Sequence, residues 1–115
     1  MAVQAQAVPR ISPEALAALI DTGQALTIVD VRPPEAFFES ALTILGAIQI
    51  PPDEIPRRYH EIPRDRLVVA FCEGPPETES TRAAQFLVSH GYSNVKVLEG
   101  GFNAWEALGY PTAPR

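Results

Sequence analysis

The chain has 115 residues, 46% hydrophobic and 20% charged, with a net charge of −5 and a pI near 4.9. That balance suits one compact folded domain and argues against disorder. With no basic block there is no footprint for a nucleic-acid partner, and no apolar run reaches the ~18 residues a membrane span needs. The single cysteine, Cys72, forbids an internal disulfide. His60 and His90 lack metal-ligand spacing, so neither a metal nor another cofactor is expected. The start, MAVQAQAVPR, has no basic segment followed by an apolar core, so it does not read as a secretory signal. A free thiol suits a reduced, cytoplasmic setting.

In chain order, residues 1–10 read as a tail and 11–115 as one domain. Ser12-Pro13-Glu14 is a helix start, with Ser12 as N-cap and Pro13 at the first helical position; Leu16, Leu19 and Ile20 form the apolar stripe and Gly23 stops it. Leu26 to Val31 is a strand apolar enough to be buried on both faces. Glu35 to Ser40 is a helical turn in which either Phe37 or Phe38 reaches the core. A short strand follows at Ile48–Ile50, where apolar residues flank Gln49. Asp53 to Ile62 is a short helix or pair of turns. Leu67 to Phe71 is a wholly apolar strand that runs into Cys72. A loop from Glu73 to Glu79 precedes a helix from Ser80 to His90, with Ala83, Ala84, Leu87 and Val88 inward and Gly91 as its stop. Val95 to Leu98 is a further strand, Gly100-Gly101 a turn, and Phe102 to Leu108 a last helix carrying Trp105. Helix and strand alternate with short links, which predicts an α/β fold: a parallel sheet with helices on both faces.

Ligands collect beyond the C-terminal strand ends of such sheets. Asp30, Cys72 and the Gly100-Gly101 turn all fall there. A thiol at a strand end, facing a helix N-terminus, meets unpaired N–H groups and the positive end of a dipole, which favour an anion such as a thiolate or a persulfide. Cys72 is thus a candidate nucleophile; the bland reading is a small buried hydrophobe.

Several motifs resemble the single-domain rhodaneses: SPEALAALI at the first helix, VDVR at 29–32, GAIQIP at 46–51, VVAFC at 68–72, STRAAQFLVSHGY at 80–92 and VKVLEGGFNAW at 95–105. The resemblance covers about residues 11–110. It implies a central parallel sheet of about five strands and a sulfurtransferase in which Cys72 carries sulfur as a persulfide. The donor would be thiosulfate or another small sulfur anion, and a protein could act as donor or acceptor. The alternative is a carrier or docking module of the same fold without catalysis. Sulfur transfer needs aimed hydrogen-bond donors, and residues Glu73, Gly74, Pro75, Pro76, Glu77, Thr78, Glu79 and Ser80 would supply a substrate-binding nest.

The loop departs from the family's usual form. It is longer, Glu79 stands where an arginine is frequent, and Arg82 lies ten places after Cys72, outside the C-x5-R spacing of related phosphatases. It resembles a bacterial subset with C-x-x-P-x-E-x-x-S, in which Pro75 and Glu77 fill two positions. Glu73, Glu77 and Glu79 bring negative charge near the site; two like charges ~6 Å apart at an effective dielectric of about 20 repel by nearly 3 kcal/mol before solvent screening. A dianionic donor then needs Arg82 or another cation to compensate; the bland reading is three solvated side chains. Supporting roles fall to Asp30, as a strand-end cap or a holder of the cysteine loop, to Arg32, paired with Glu35 or binding an anion, and to Trp105, in the core or walling the pocket. Ser80 reads as the N-cap of its helix and also as a donor to the persulfide.

Overall fold

The computed structural model describes residues 8–38 and 40–115. Most of the expected tail, and the choice between Phe37 and Phe38, lie outside the described residues. Strand β1 (Arg10–Ile11) leads into helix α1 (Pro13–Asp21), whose start is built as expected: the Ser12 hydroxyl accepts the Ala15 N–H at 3.0 Å, and Pro13 opens the helix. Strand β2 (Leu26–Asp30) is followed by a 3-10 turn (Pro34–Phe38), strands β3 (Leu42–Ile44) and β4 (Ile48–Gln49), and a run of short turns around helix α2 (Ile55–Arg58). Then come β5 (Leu67–Phe71), α3 (Thr78–Ser89), β6 (Val95–Leu98), α4 (Gly101–Ala107) and β7 (Thr112–Pro114).

Five strands form one sheet in the order β1-β6-β5-β2-β4, with every pair parallel. The fifth strand is β1, in which Arg10 pairs with Val97 and Ile11 with Leu98. Two residues are too short a run to show periodicity, so Arg10 read as tail. β3 and β7 form a separate antiparallel pair, equally invisible to pattern.

Side-chain alternation on β5 divides the core. Leu67, Val69 and Phe71 face a cluster with Leu16 of α1 and with Phe102 and Trp105 of α4. Val68 and Cys72 face the opposite cluster, with Ile55 of α2 and Ala83, Ala84 and Leu87 of α3. Helices thus cover both faces, and the cysteine lies on the α3 side. Trp105 is 1% exposed, and its ring N–H donates to the Pro111 carbonyl at 2.9 Å. It packs in the core on the far face of the sheet and forms no wall around Cys72. Among the described residues no helix is long and apolar enough to cross a membrane.

The start of α4 sets a packing limit. Gly101 has φ +62°, and a Cβ there would lie 2.6 Å from the Cys72 carbonyl oxygen and 2.8 Å from the Gly74 nitrogen. Gly109 also has a positive φ, +75°, but a Cβ there would meet nothing within 4 Å. Gly109→Ala should therefore cost only the left-handed backbone term, about 1–2 kcal/mol. Gly101→Ala adds a clash with backbone that no rotamer relieves, for a total of about 3 kcal/mol or more. Thermal unfolding of the two variants checks this; equal losses of Tm would show that the approach is loose.

Candidate active site around Cys72

Cys72 follows β5 directly, and five residues, Glu73–Glu77, carry the chain to α3. The helix begins at Thr78, not Ser80, because Glu77 takes the cap position, without a side-chain capping bond. Ser80 is therefore inside the first turn, which turns its side chain toward the sheet. Its hydroxyl lies 3.2 Å from the Cys72 Sγ, and it also approaches the Glu77 carbonyl at 3.4 Å. Among the described residues the Ser80 hydroxyl is the hydrogen-bonding partner of the sulfur; no amide of residues 73–80 is bonded to it. Cys72 is 1% exposed, so the folded loop covers the sulfur.

The loop is held at both ends. On one side the first amides of α4 meet its carbonyls: Phe102 N–H donates to Cys72 C=O and Asn103 N–H to Glu73 C=O, each at 2.8 Å. The Gly100-Gly101 turn permits this approach. On the other side the Glu77 carboxylate turns inward. It accepts the Gly100 N–H at 2.9 Å and pairs with Arg10 of β1 at 2.6 Å. Burial alone would raise the Glu77 carboxyl, but the Gly100 amide and Arg10 outweigh it and hold it below the usual value.

Asp30 and Arg32 form a buried pair beneath. Arg32 Nε donates to one Asp30 carboxylate oxygen at 3.0 Å and Nη2 to the other at 2.8 Å; Nη2 also donates to the Leu42 carbonyl at 2.7 Å. Asp30 accepts the Arg32 N–H at 3.0 Å and the Thr43 hydroxyl at 2.9 Å. It is a strand-end cap and approaches the cysteine loop through Arg32, whose Nη1 lies 3.6 Å from the Glu73 carboxylate; Arg115 also faces Asp30, at 3.7 Å. The expected Arg32–Glu35 bridge is replaced by these partners, because Arg32 folds under the sheet edge and stacks over Phe102 at 4.5 Å. Burial alone would lower the Arg32 guanidinium; Asp30 and Glu73 more than offset this and raise it above its ordinary value.

The expected crowd of loop carboxylates is thus largely resolved. Glu77 is bound to Arg10, Glu73 faces Arg32, and among the described residues Glu79 alone of the three has no ion pair. Thr78 is exposed, and so are Pro75 and Pro76, which sit on the outer turn of the loop. Three clefts flank this region. The one against the loop itself, about 300 Å³, is lined by Arg10, Pro76, Glu77, Thr78, Thr81 and Arg82. Glu79 and Arg82 line one of about 270 Å³, with Asp53, Pro56 and Phe86. Arg32, Gln49, Glu54, Arg58 and Arg115 line another of about 550 Å³. Cys72 lines none of the three, so in this conformation the sulfur is closed off from them. Sequence reasoning missed Arg10, whose partner is distant in sequence, and Arg58, which read only as part of a turn.

Glu77 gives a pH test. Its folded value is lowered, so its contribution is complete above the unfolded glutamate value, about 4.3, and is lost as pH falls through the folded value. Glu77→Gln should cost about 1–3 kcal/mol at neutral pH and should flatten the loss of stability on acidification below about pH 5. Urea unfolding across pH checks it; an unchanged acid limb would show that Glu77 carries no such linkage.

A family model described as Rhodanese-like domain matches residues 12–108. A protein named sulfurtransferase from Allochromatium vinosum is 34% identical over 104 residues, covering 90% of this chain and 94% of its own length. The thiosulfate sulfurtransferase GlpE of Pseudomonas entomophila is 32% identical over 102 residues, covering 89% of this chain and 87% of its own. Among solved structures, a rhodanese-related protein from Thermoplasma volcanium superposes with a TM-score of 0.76 at 30% identity, covering 91% of this chain and 97% of its own. With a parallel sheet of this order, a cysteine at the end of its central strand and a match across nearly the whole domain, the chain belongs to the rhodanese-like family.

Proposed function

We propose that the protein is a rhodanese-type sulfurtransferase, working in a reducing compartment such as the cytoplasm, with Cys72 as the carrier of sulfur. The observation that carries this reading is the 3.2 Å contact of Sγ with the Ser80 hydroxyl in the first turn of a 12-residue helix. A hydroxyl there can donate to a negative sulfur, and the helix N-terminus favours the charge. The names of the relatives support the same class.

In the first half-reaction the Cys72 thiolate attacks the outer sulfur of thiosulfate. The S–S bond of the donor breaks, sulfite leaves with its electron pair, and a Cys72 persulfide anion remains. In the second, an acceptor thiolate or cyanide attacks the outer sulfur, the Cys72 S–S bond breaks, and the thiolate returns. As the negative charge moves outward, the Ser80 hydroxyl and the loop N–H groups, which Pro75 and Pro76 lack, are the groups that meet it, with Arg82 near the mouth. Access requires residues 73–77 to move, and Gly74 supplies backbone freedom there.

A second reading is a docking or carrier module without turnover. The 1% exposure of Cys72 favours it.

Intact mass spectrometry separates the two. Treatment with thiosulfate should add one sulfur atom to the wild-type chain and none to Cys72→Ser; no gain with any sulfane donor leaves the docking reading standing. Ser80→Ala should slow loading roughly tenfold or more through loss of one aimed donor. Glu79→Arg removes one half-buried like charge and adds an opposite one, worth about 1 kcal/mol, and should raise kcat/KM for thiosulfate about fivefold. Unchanged kinetics would show that charge at position 79 is irrelevant to the donor.

A further inference from the structure

The face of the sheet opposite Cys72 carries a feature that the sulfur chemistry does not use. Ile20 and Asp21 of α1, Leu45 after β3, and Trp105, Tyr110 and Pro111 line a cleft of about 300 Å³ there. Trp105 is its buried floor; Tyr110 packs on the ring at 4.9 Å, and the Pro111 carbonyl accepts the indole N–H. Large apolar side chains around it stay open to water: Leu45 is 56% exposed, and Leu108, one turn after Trp105, is 50% exposed. The charge of this face has one sign. Helix α1 carries Glu14 and Asp21, and α4 carries Glu106, all exposed and none in an ion pair among the described residues. Residues 11–31 and 97–114 contain no lysine or arginine, so all 9 cations of the chain lie elsewhere.

Glu14, Ala17 and Asp21 recur at i, i+3 and i+7, which is one stripe of α1. Ala17 and Asp21 line the cleft, so Glu14 extends its rim by one turn. The two carboxylates stand about 10 Å apart along the helix axis, a span that one small cation does not bridge. We infer that this face docks a partner protein through an amphipathic basic helix. Roughly two or three of the partner's apolar side chains, at i, i+3 or i+4 spacing, enter the cleft between Ile20 and Leu45, and its lysines or arginines meet Glu14 and Asp21. Two copies of this chain meeting through the same face would set like charges against each other, so charge complementarity selects a different chain. The chain's own cations are committed elsewhere: Arg57, Arg58 and Arg66 are paired with neighbouring carboxylates. Residues 1–7, MAVQAQA, carry no charged side chain. Nucleic acid and anionic lipid are repelled by an acidic face. A helix seated here leaves the Cys72 side of the sheet uncovered, so docking and sulfur transfer take place on opposite faces.

The test uses the full chain labelled with nitrogen-15. Trp105 is the one tryptophan, so its indole N–H gives a single resonance that reports on the floor of the cleft. The probe is a synthetic peptide of about 14 residues, with leucines on one helical face and lysines on the other. It should shift the Trp105 resonance saturably, and the same peptide with glutamate in place of lysine should not. Ile20→Ser combined with Leu45→Ser should weaken binding about tenfold, whereas Ile48→Ser, equally exposed to Ile20 but outside the cleft, should leave it unchanged. Asp21→Lys should weaken it severalfold, as should raised salt. A lysine at the C-terminal end of a helix suits its dipole, so Asp21→Lys keeps the fold and the proposal keeps a decisive variant even if the serine pair disturbs packing. No shift of Trp105, or a shift indifferent to Asp21→Lys and to the exchange of lysine for glutamate, overturns the proposal. A Trp105 shift that follows protein concentration alone makes a second copy the occupant and overturns it equally.

Discussion

The geometry of the cysteine loop depends on one close approach, the seating of the first amides of α4 against the carbonyls of Cys72 and Glu73. Two backbone bonds of 2.8 Å hold it. They form only because Gly101 presents no Cβ to the Cys72 carbonyl. The helix that closes one face of the core thereby positions the loop at the edge of the other. Phe102 and Trp105 anchor α4 in the cluster that contains Phe71, so packing on that face is transmitted to the residue after Phe71, which is Cys72. Core and site are linked through consecutive residues of one strand.

A second constraint is ionic. Taking Asp30 and Arg32 out of water costs several kcal/mol per charge, and such pairs persist when their remaining hydrogen-bonding capacity is filled. Here Thr43 and the Leu42 carbonyl supply those partners from β3. The small β3–β7 pair is thereby tied to the end of β2 by charge as well as by packing. The pair also carries the link onward, since Arg32 faces Glu73 across 3.6 Å. The contact of this network beside Cys72, Arg32 to Glu73, is longer than a hydrogen bond.

Much of this was legible in the residues. Ser12-Pro13, the wholly apolar 67–71 run and the spacing of Ala83, Ala84 and Leu87 each encode their element locally, and alternation predicts the parallel sheet. β1 and β3 were not legible, because strands of two or three residues show no period and exist only through distant partners. The start of α3 was misplaced by two residues because Ser80 has the chemistry of a cap. In the fold its hydroxyl serves the sulfur instead, and a cap without a side-chain bond leaves no local signal. The partners of Asp30 and Arg32 were missed for the same reason: Glu73 and Leu42 are distant in sequence and converge only at the sheet edge.

The acidic loop is best understood as a clamp. Its first carboxylate, Glu73, faces an arginine just beyond β2, and its last, Glu77, is held by an arginine in β1 and an amide before α4. Between them lie only Gly74, Pro75 and Pro76. Charges that would repel an anionic donor in solution instead fasten the loop to strands on either side of β5. The two fastenings are unequal. Glu77 is buried and doubly bonded, whereas Glu73 is 38% exposed and its arginine contact is longer than a hydrogen bond. A loop that must move to uncover Cys72 would therefore release first at Glu73, beside the sulfur and the arginine-lined cleft, while Glu77 keeps the start of α3, and with it Ser80, in place.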